Sequence, residues 1–405
     1  MATLGERIKK LRKEKGLTLQ ALAGESLTKG MLSLIENNKA NPSMESLSYI
    51  AEQLGVDRNE LLEEVPPAEL RTVLQEVDKL YRIEMKEKTE GFEPIIEKIK
   101  PYAKNLPYRY ESARLLEIYS QCLYYAKQEG WQVPLSQAEE MYEGLHLMDN
   151  SADVHMFRAV LKFNEHRYAE SLAMLQQSRK SFEERDAVLA SLKKLDFDFL
   201  EAILYFAIGD DRDARRIIQE AVDYSKERQI FYKINDLYRV MTFHSILIGD
   251  EDSKNYYMQK LRLFAEFSED EKIDIVLDLL EAHHKNSFTH EYQEAYDIAH
   301  KYLEEHKDDD SSQFYLEKGK ALYGLGHFDE ALHWFSNHKI SEYLHHPYDL
   351  SMNYEKDAYM ALIYEKQGNH NLAVKHAEIA KENIDPMPDL PYKKFILDVH
   401  KKITQ

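Results

Sequence analysis

Basic side chains are concentrated at the amino end of a chain that is otherwise acidic. Residues 1–43 contain eight lysines and arginines against four glutamates. The whole chain carries 53 basic and 72 acidic side chains, a net charge of −19, and residues 66–405 alone carry −18. Clustered cations attract polyanions, so this distribution predicts a polyanion partner for the amino-terminal segment only. The alternative is that these cations are the solvated faces of short helices.

The residues that could take part in catalysis or bind a metal or cofactor do not form a recognisable site. The sequence has no Gly-x-x-x-x-Gly-Lys-Ser/Thr loop, no Gly-x-Gly-x-x-Gly motif and no His-Glu-x-x-His motif. The pairs His283-His284 and His345-His346 would diverge by about 100° on a helix, so neither suits one metal ion. Cys122 lies in an apolar run and is expected in the core. We therefore predict no enzymatic activity, no metal and no cofactor.

The composition indicates a folded, mainly helical chain. Of 405 residues, 43% are hydrophobic and 11% aromatic, which excludes global disorder. No run of about 18 apolar residues is present, and charges occupy the place of a signal peptide's apolar segment. One cysteine permits no intrachain disulfide, which fits a reducing compartment. We expect a cytoplasmic protein with no membrane partner.

Apolar residues in the first 62 positions follow helical spacing. Leu4, Ile8 and Leu11 recur at i, i+4 and i+7, and Gly16 is a plausible stop for this first helix. Three hydroxyl residues are placed as N-caps of further helices: Thr18, Thr28 and Ser43. Five short helices with a tight turn between the second and third predict a helix-turn-helix layout.

The segments ERIKKLRKEKGLTLQALA and LTKGMLSLIENNKANPSMESLSYIAEQLGV resemble the phage-repressor (Xre/Cro-like) helix-turn-helix family over residues 4–62. The resemblance implies a recognition helix over Thr28–Asn37, in which Lys29 would donate to guanine and Leu34 would contact a thymine methyl group. Arg12 and Glu36 match a structural ion pair of that family. The DNA-binding residues implied are Thr18, Thr28, Lys29, Gly30, Ser33, Leu34, Asn37, Asn38, Lys39 and Asn41.

A domain boundary follows this segment. Val65-Pro66-Pro67 interrupts the helical pattern, because proline lacks a backbone donor and restrains the residue before it. The stripe from Leu70 to Tyr81 then predicts an amphipathic helix that either docks on the body or pairs between subunits. We predict a helix-turn-helix domain over 1–65, a linker helix over 66–90 and a repeat domain over 91–405.

The repeat domain is predicted from a recurring signal of a turn residue, an acidic or aromatic residue and then a small residue. The last position of the signal falls on Ser171, Ala214, Lys254, Ala295, Ala331 and Ala373, at intervals of 43, 40, 41, 36 and 42 residues. The segment YLEKGKALYGLGHFDEALHWF, residues 315–335, resembles the tetratricopeptide pattern, whose usual period is about 34 residues. The sequence thus predicts an all-α chain, with the helix-turn-helix domain followed by a right-handed superhelix of at least six tetratricopeptide-like hairpins.

Such a superhelix has a concave groove suited to a peptide or a partner's helix. Aligning the hairpins on the small residue places several first-helix positions on the concave face, and Asn235 lies one or two positions from it. The peptide-binding residues predicted in this way are Asn164, Phe199, Asn235, Arg239, Phe243, His284, Lys320 and Tyr323. The alternative is that Phe199 and Phe243 pack between hairpins and that Arg239 and Lys320 pair with nearby acids.

The order of domains resembles the peptide-pheromone-responsive regulators of the Rgg, NprR, PlcR and PrgX group, and the length is nearest to NprR-like members. The resemblance implies a transcription regulator in quorum sensing that binds a DNA operator and a short signalling peptide. It also implies a homodimer or higher oligomer. The alternative function is an interaction protein whose repeats bind, and inhibit or dephosphorylate, a sporulation phosphorelay protein.

Overall fold

The computed structural model describes residues 3–62, 65–87, 91–104, 106–185, 187–306 and 312–405. Over these residues the chain is helical and contains no β-strand, which confirms the predicted all-α class. None of the helices in the described ranges combines the length and the apolar character needed to cross a membrane. The chain divides into two compact units, Met1–Val154 and His155–Gln405.

Five short helices form the first part of the first unit, in the order that the sequence predicts. They are α1 (Leu4–Glu14), α2 (Leu19–Ala23), α3 (Lys29–Glu36), α4 (Met44–Leu54) and α5 (Arg58–Leu62). The N-caps of α2, α3 and α4 are Thr18, Thr28 and Ser43, and each accepts a hydrogen bond of 3.1 Å from the backbone N–H three residues later. These bonds satisfy donors that a helix start leaves unpaired, so the sequence sets where α2, α3 and α4 begin.

The core of this five-helix bundle consists of the apolar residues that recur at helical spacing, including Ile8, Leu22, Leu32 and Ile50. The turn between α2 and α3 starts at Gly24, whose φ is +53°. A Cβ atom on Gly24 would lie 2.0 Å from the hydroxyl oxygen of Tyr49. This turn therefore requires glycine for its backbone conformation and for space.

Four further helices follow in the first unit: α6 (Pro67–Glu87), α7 (Glu93–Ile99), α8 (Tyr110–Tyr125) and α9 (Gln132–Gly144). The apolar stripe of α6 is buried against α7 and α8, where Leu70 and Val77 pack with Ile99 and Ile118 in one core. Cys122 is buried in the same core, as predicted. Of the two predicted roles for the stripe, docking within the chain is the one observed.

The second unit is a series of helical hairpins followed by one last helix. Its helices are α10 (Met148–Asn164), which spans the boundary between the units, α11 (Tyr168–Glu184), α12 (Ser191–Ala207), α13 (Asp211–Arg228), α14 (Ile234–Ile248), α15 (Glu251–Ser268), α16 (Glu271–His284), α17 (Tyr292–Glu305), α18 (Ser312–Leu325), α19 (Phe328–Asn337), α20 (Pro347–Lys366), α21 (His370–Ile384) and α22 (Pro391–Thr404). A π-helical turn, Lys285–Thr289, continues α16.

The repeated signal of the sequence corresponds to one structural position in six hairpins. The last residue of each signal is the fourth residue of a second helix, α11, α13, α15, α17, α19 or α21. It is small in five of them and Lys254 in α15, and all six side chains are buried. Two positions before each second helix lies a residue with φ between 59° and 85°: His166, Gly209, Gly249, His290, Gly326 and Gly368. Left-handed backbone here ends the first helix and reverses the chain, which explains why glycine recurs at this point.

Candidate nucleic-acid interface and apolar cavity

Helix α3 presents one buried and one exposed face. Leu32, Ile35 and Glu36 are buried in the five-helix bundle, whereas Lys29 and Leu34 are exposed. Thr28 is the N-cap of α3 and accepts a hydrogen bond from the Met31 N–H. The first backbone N–H groups of a helix have no partner within the helix, so the amino end of α3 can donate to a ligand. An exposed helix of this kind, held by a second helix across a tight turn, has the geometry that fits a major groove.

The ten predicted DNA-binding residues lie at the start of α2, on α3 and in the loop that follows it. Nine are exposed and Ser33 is half-buried. Two of the predicted asparagines already make local hydrogen bonds. The Asn37 amide nitrogen donates to the Ser33 carbonyl at 2.7 Å, and the Asn38 amide oxygen accepts from the Gly5 N–H at 3.2 Å. Their contact with DNA stays a prediction.

Arg12 and Glu36 tie α1 to α3, as the family resemblance implies. The guanidinium donates two hydrogen bonds of 2.6 and 2.8 Å to the carboxylate, and both side chains are buried. Arg12 also donates to the Leu17 carbonyl at 2.9 Å. The bonds to Glu36 raise the pKa of Arg12. This pair orients α3 and is not available to a partner.

An apolar cavity of about 370 Å³ lies within the second unit. Its walls come from the first helices of consecutive hairpins, α12, α14, α16, α18 and α20, and from the loop that precedes α20. The lining residues are Phe199, Ile203, Phe206, Arg239, Val240, Phe243, His244, Val276, Leu279, Leu280, His283, Gln313, Leu344, His346, Tyr348, Asp349 and Met352. A predominantly apolar concave site with a few polar groups is the usual form of a small-ligand pocket.

Cations lie among the aromatic side chains on one side of this cavity. The Arg239 side chain is about half exposed, and its guanidinium is 3.6 Å from the Asp236 carboxylate. The ammonium of Lys233 is also 3.6 Å from Asp236 and lies 5.2 Å from the centre of the Phe199 ring. Two cations thus share the Asp236 carboxylate on this side of the cavity, and Asp349 is the acidic residue of the lining.

Two histidines, the buried His244 and the half-buried His346, are among the polar groups of the cavity wall. His346 is bonded at both ring nitrogens, to the Ile203 carbonyl at 3.1 Å and to the Tyr348 N–H at 3.2 Å. Nδ1 of His244 is buried and has no hydrogen-bond partner among the described residues. Burial lowers the pKa of both rings, so both are neutral near pH 7. Both rings are thus polar but uncharged parts of the cavity wall.

Phe199, Arg239 and Phe243 are the predicted peptide-binding residues that line the cavity. The ring of Phe243 is 6.0 Å from His283 and 6.3 Å from Tyr348. The other five predicted residues do not line the cavity: Asn164, Asn235, His284, Lys320 and Tyr323. Their role in binding a peptide stays a prediction, and the structure gives His284 and Lys320 other contacts.

Lys320 is fully buried in an ionic cluster behind the cavity. Its ammonium donates to Glu355 at 2.8 Å, to Glu317 at 3.3 Å and to the Ser287 hydroxyl at 2.6 Å. Burial by itself would raise the pKa of Glu317, but Lys320 and His283 lower it to about 2. The Glu317 carboxylate is thus charged, and the alternative interpretation, that Lys320 pairs with nearby acids, describes its environment.

His283 and His284 point in different directions, as their adjacency on a helix predicts. His283 bonds Glu317 at 2.8 Å and the hydroxyl of Tyr392 at 2.7 Å, so it joins the cavity wall to the ionic cluster and to α22. His284 bonds Glu251 at 2.9 Å on α15. Burial and the neighbouring Lys254 lower the pKa of His284.

Sequence reasoning missed the cavity residues contributed by α20 and the loop before it. His346, Tyr348 and Met352 lie more than 100 positions after Phe199 and Phe243 in the chain, yet line the same cavity. The one available signal was the pair His345-His346, which was considered only as a metal site. His244 was missed although it directly follows the predicted Phe243.

Comparison with known proteins identifies the amino-terminal segment. Residues 5–65 match a family model described as a helix-turn-helix domain. The HTH-type transcriptional regulator DdrOP3 of Deinococcus deserti is 40% identical over 63 residues, which are 15% of this chain and 49% of that protein. The match therefore spans about half the length of this curated relative.

Solved structures match over a longer part of the chain, at low identity. PlcR of Bacillus thuringiensis, solved in complex with the peptide PapR7 and DNA, is 16% identical, with 76% of this chain and 100% of that chain covered and a TM-score of 0.32. The SHP pheromone receptor Rgg2 of Streptococcus dysgalactiae is 15% identical, with 68% and 98% covered and a TM-score of 0.31. Both proteins carry names of the group that the sequence resembles. Their TM-scores are too low for site residues to be compared. Residues 5–65 are thus a helix-turn-helix domain of the family that the matching model describes.

Proposed function

We propose that the protein is a sequence-specific DNA-binding transcription regulator that acts as a homodimer and responds to a short signalling peptide. The observation that carries the proposal is the helix-turn-helix domain of residues 5–65, whose α3 has an exposed face. Residues 1–43 supply the positive charge that a DNA duplex attracts. The exposed face of α3 and the positive charge of residues 1–43 therefore both suit a major groove.

The second unit supplies the proposed peptide site. A cavity of about 370 Å³ accommodates a few side chains of a peptide, and its lining is mainly apolar. Arg239 in the lining and Lys233 beside the Phe199 ring favour a carboxylate of the ligand, and the His244 ring adds an uncharged polar group to the wall. The proposed ligand is thus a short peptide with apolar side chains and at least one carboxylate.

Regulation follows if the peptide binds one arrangement of the dimer more tightly than another. A ligand shifts an equilibrium between two states only by its difference in affinity for them. Two recognition helices about 34 Å apart, or a multiple of that distance, match a two-fold operator. A peptide that changes the spacing of the two domains would change operator affinity.

The DNA-binding part of the proposal is tested with Lys29 and Lys39. Lys29→Ala should cost about 1–3 kcal/mol at the preferred duplex and relax the preference at one base pair, because its partner is a base. Lys39→Ala should weaken binding to all duplexes alike and reduce the salt slope by about one, because its partner is a phosphate. Fluorescence anisotropy at several salt concentrations measures both quantities. Equal loss of specificity in the two variants would contradict the assigned recognition helix.

The peptide-binding part is tested with Arg239. Arg239→Ala should weaken binding of the tightest peptide from a randomised heptapeptide library at least tenfold, about 1.4 kcal/mol, as measured by calorimetry. Arg216→Ala is the matched control, because Arg216 is equally exposed but lies on α13 and pairs with Asp213 and Glu220. Unchanged affinity in Arg239→Ala would place the peptide elsewhere.

A further inference from the structure

The exposed face of α3 is mainly apolar. Met31 is 46% exposed and Leu34 is 45% exposed. They are three positions apart on α3, so their side chains are neighbours on the helix surface. Leu32 and Ile35, on the buried face of the same helix, make its contacts with the core. Met31 and Leu34 are therefore not needed for the core and form an apolar pair that faces outward.

The polar side chains of this segment are mostly engaged within the helix. The Thr28 hydroxyl oxygen accepts from the Met31 N–H at 3.1 Å, and the Asn37 amide donates to the Ser33 carbonyl at 2.7 Å. Glu36 is buried in its pair with Arg12. Lys29 is the one charged side chain that the exposed face of α3 carries. Hydrogen bonding to several bases from this face is thus limited.

Base edges in the major groove differ in whether they offer an apolar group. Thymine presents its C5-methyl group there, whereas the edges of guanine, cytosine and adenine present hydrogen-bonding groups that lose water against an apolar side chain. We propose that Met31 and Leu34 recognise the methyl groups of two thymines in each half of the operator. This inference rests on the proposed function, because it names the bases that the DNA-binding domain selects.

The spacing of the two side chains supports this assignment. Neighbouring side chains on a helix face have Cβ atoms about 5–6 Å apart. Successive bases of one strand are about 3.4 Å apart along the duplex axis. Two side chains at this separation fit methyl groups one or two base steps apart. The preferred half-site therefore contains two thymines at this interval, next to the base pair that Lys29 contacts.

The experiment starts from a duplex library with a randomised centre, from which the full-length chain selects its preferred sequence. Each dT of the selected duplex is then replaced in turn by dU, which removes only the C5-methyl group. At two positions of each half-site, the dU duplex should bind the unaltered chain about fourfold more weakly, the value of one buried methyl group. Replacement at other positions should leave the affinity unchanged.

Variants assign each methyl group to a side chain. Met31→Ala should weaken binding to the dT duplex and should no longer respond to dU at one of the two positions, and Leu34→Ala should do the same at the other. Leu62→Ala is the matched control, since Leu62 is 44% exposed but lies on α5. It should bind like the unaltered chain and keep both dU effects. Unchanged melting temperatures exclude loss of folding as the cause.

The outcomes separate this inference from the function on which it rests. An enriched duplex whose affinity is indifferent to dU at every position would overturn the recognition of thymine while leaving sequence-specific DNA binding intact. A dU effect that persists in both Met31→Ala and Leu34→Ala would also overturn it. A selection with no enriched sequence would overturn sequence-specific DNA binding itself, and the thymine recognition with it.

Discussion

Arg12 and Glu36 show how a charged pair becomes a structural element. They lie 24 positions apart and meet through two hydrogen bonds in the interior of the five-helix bundle. Removing charges from water is costly, and the pair is tolerated because the guanidinium donates twice to the carboxylate and once to the Leu17 carbonyl. The position of α3 consequently depends on both residues.

We predict that Glu36→Gln destabilises this bundle by about 3–5 kcal/mol, because it leaves the Arg12 guanidinium buried without a counter-charge. Hydrogen exchange of the α1 and α3 amides in the full chain measures the loss. The double variant Arg12→Leu with Glu36→Leu should be less destabilised than Glu36→Gln, since it removes the buried charge as well. A larger loss in the double variant would contradict this account.

Lys320 is likewise a buried charge that is paired with opposite charges, here in the second unit. Its ammonium lies between Glu317 and Glu355, and all three side chains are buried. Both carboxylates raise the pKa of Lys320 against the lowering effect of burial. Lys320 thereby helps to keep the buried Glu317 carboxylate charged.

We predict that Lys320→Met lowers the free energy of unfolding at pH 7 by at least about 3 kcal/mol, because it leaves buried carboxylates without their cation. The pKa of Glu317 is lowered from 4.5 to about 2, so its contribution is complete above pH 4.5 and is lost as the pH falls towards 2. The stability difference between the two proteins should therefore shrink between pH 6 and pH 3. Urea titrations over this range measure it, and a constant difference would exclude the ionic cluster as its cause.

Within the hairpins, small residues set how closely two helices approach. A Cβ atom on Gly319 of α18 would lie 2.6 Å from the Phe335 ring of α19, and Phe335 is itself fully buried. The same applies to Gly324, where a Cβ atom would lie 2.2 Å from the Tyr292 ring. Rings pack directly on the glycine backbone at both contacts.

We predict that Gly319→Ala destabilises the second unit by about 1–3 kcal/mol, because the added methyl group overpacks the contact with Phe335. Gly30→Ala is the matched control, since its Cβ atom would meet only the Thr28 hydroxyl oxygen at 3.9 Å. Alanine favours a helix over glycine, so the control should be neutral or slightly stabilising. Differential scanning calorimetry of the full chain distinguishes the two, and equal effects would contradict the packing argument.

Most of the apolar stripe of α6 is not exposed for contact with a second subunit. The stripe of α6 was one of the apolar surfaces considered for pairing subunits, but Leu70 and Val77 are fully buried against α7 and α8. The large apolar side chains that α6 leaves exposed are Leu80, Ile83 and Met85. The buried part of the stripe, from Leu70 to Val77, would therefore not be available to the proposed homodimer.

We predict that the full chain is a dimer at micromolar concentration and that Leu70→Ala remains one. The substitution should instead lower the free energy of unfolding by about 2–5 kcal/mol, because it opens a cavity in the core of the first unit. Sedimentation velocity measures the mass, with and without DNA. A monomeric mass in both conditions would contradict the proposed dimer, and dissociation of Leu70→Ala alone would contradict the assignment of the stripe to the core.

Much of the fold could be predicted from the sequence, because its signals are local. Thr18, Thr28 and Ser43 begin helices through bonds to residues three positions away, and Gly326 ends one through its own φ angle. The hairpins were predictable from the small residue, such as Ala331, that recurs at the fourth position of five of the six second helices. The helix-turn-helix layout depends on the same short-range patterns.

The cavity depended on relations that no local pattern contains. Phe199, Arg239 and Phe243 were predicted because they lie on the first helices, but Lys320 also lies on a first helix and is buried in the ionic cluster. Which side of α18 faces the cavity is set by the rotation between successive hairpins. Residues far along the chain also contribute, since the hydroxyl of Tyr392 on α22 bonds the cavity residue His283 of α16 at 2.7 Å. Small rotations at each hairpin accumulate along the chain, so side chains more than 100 positions apart meet only once all the hairpins have packed.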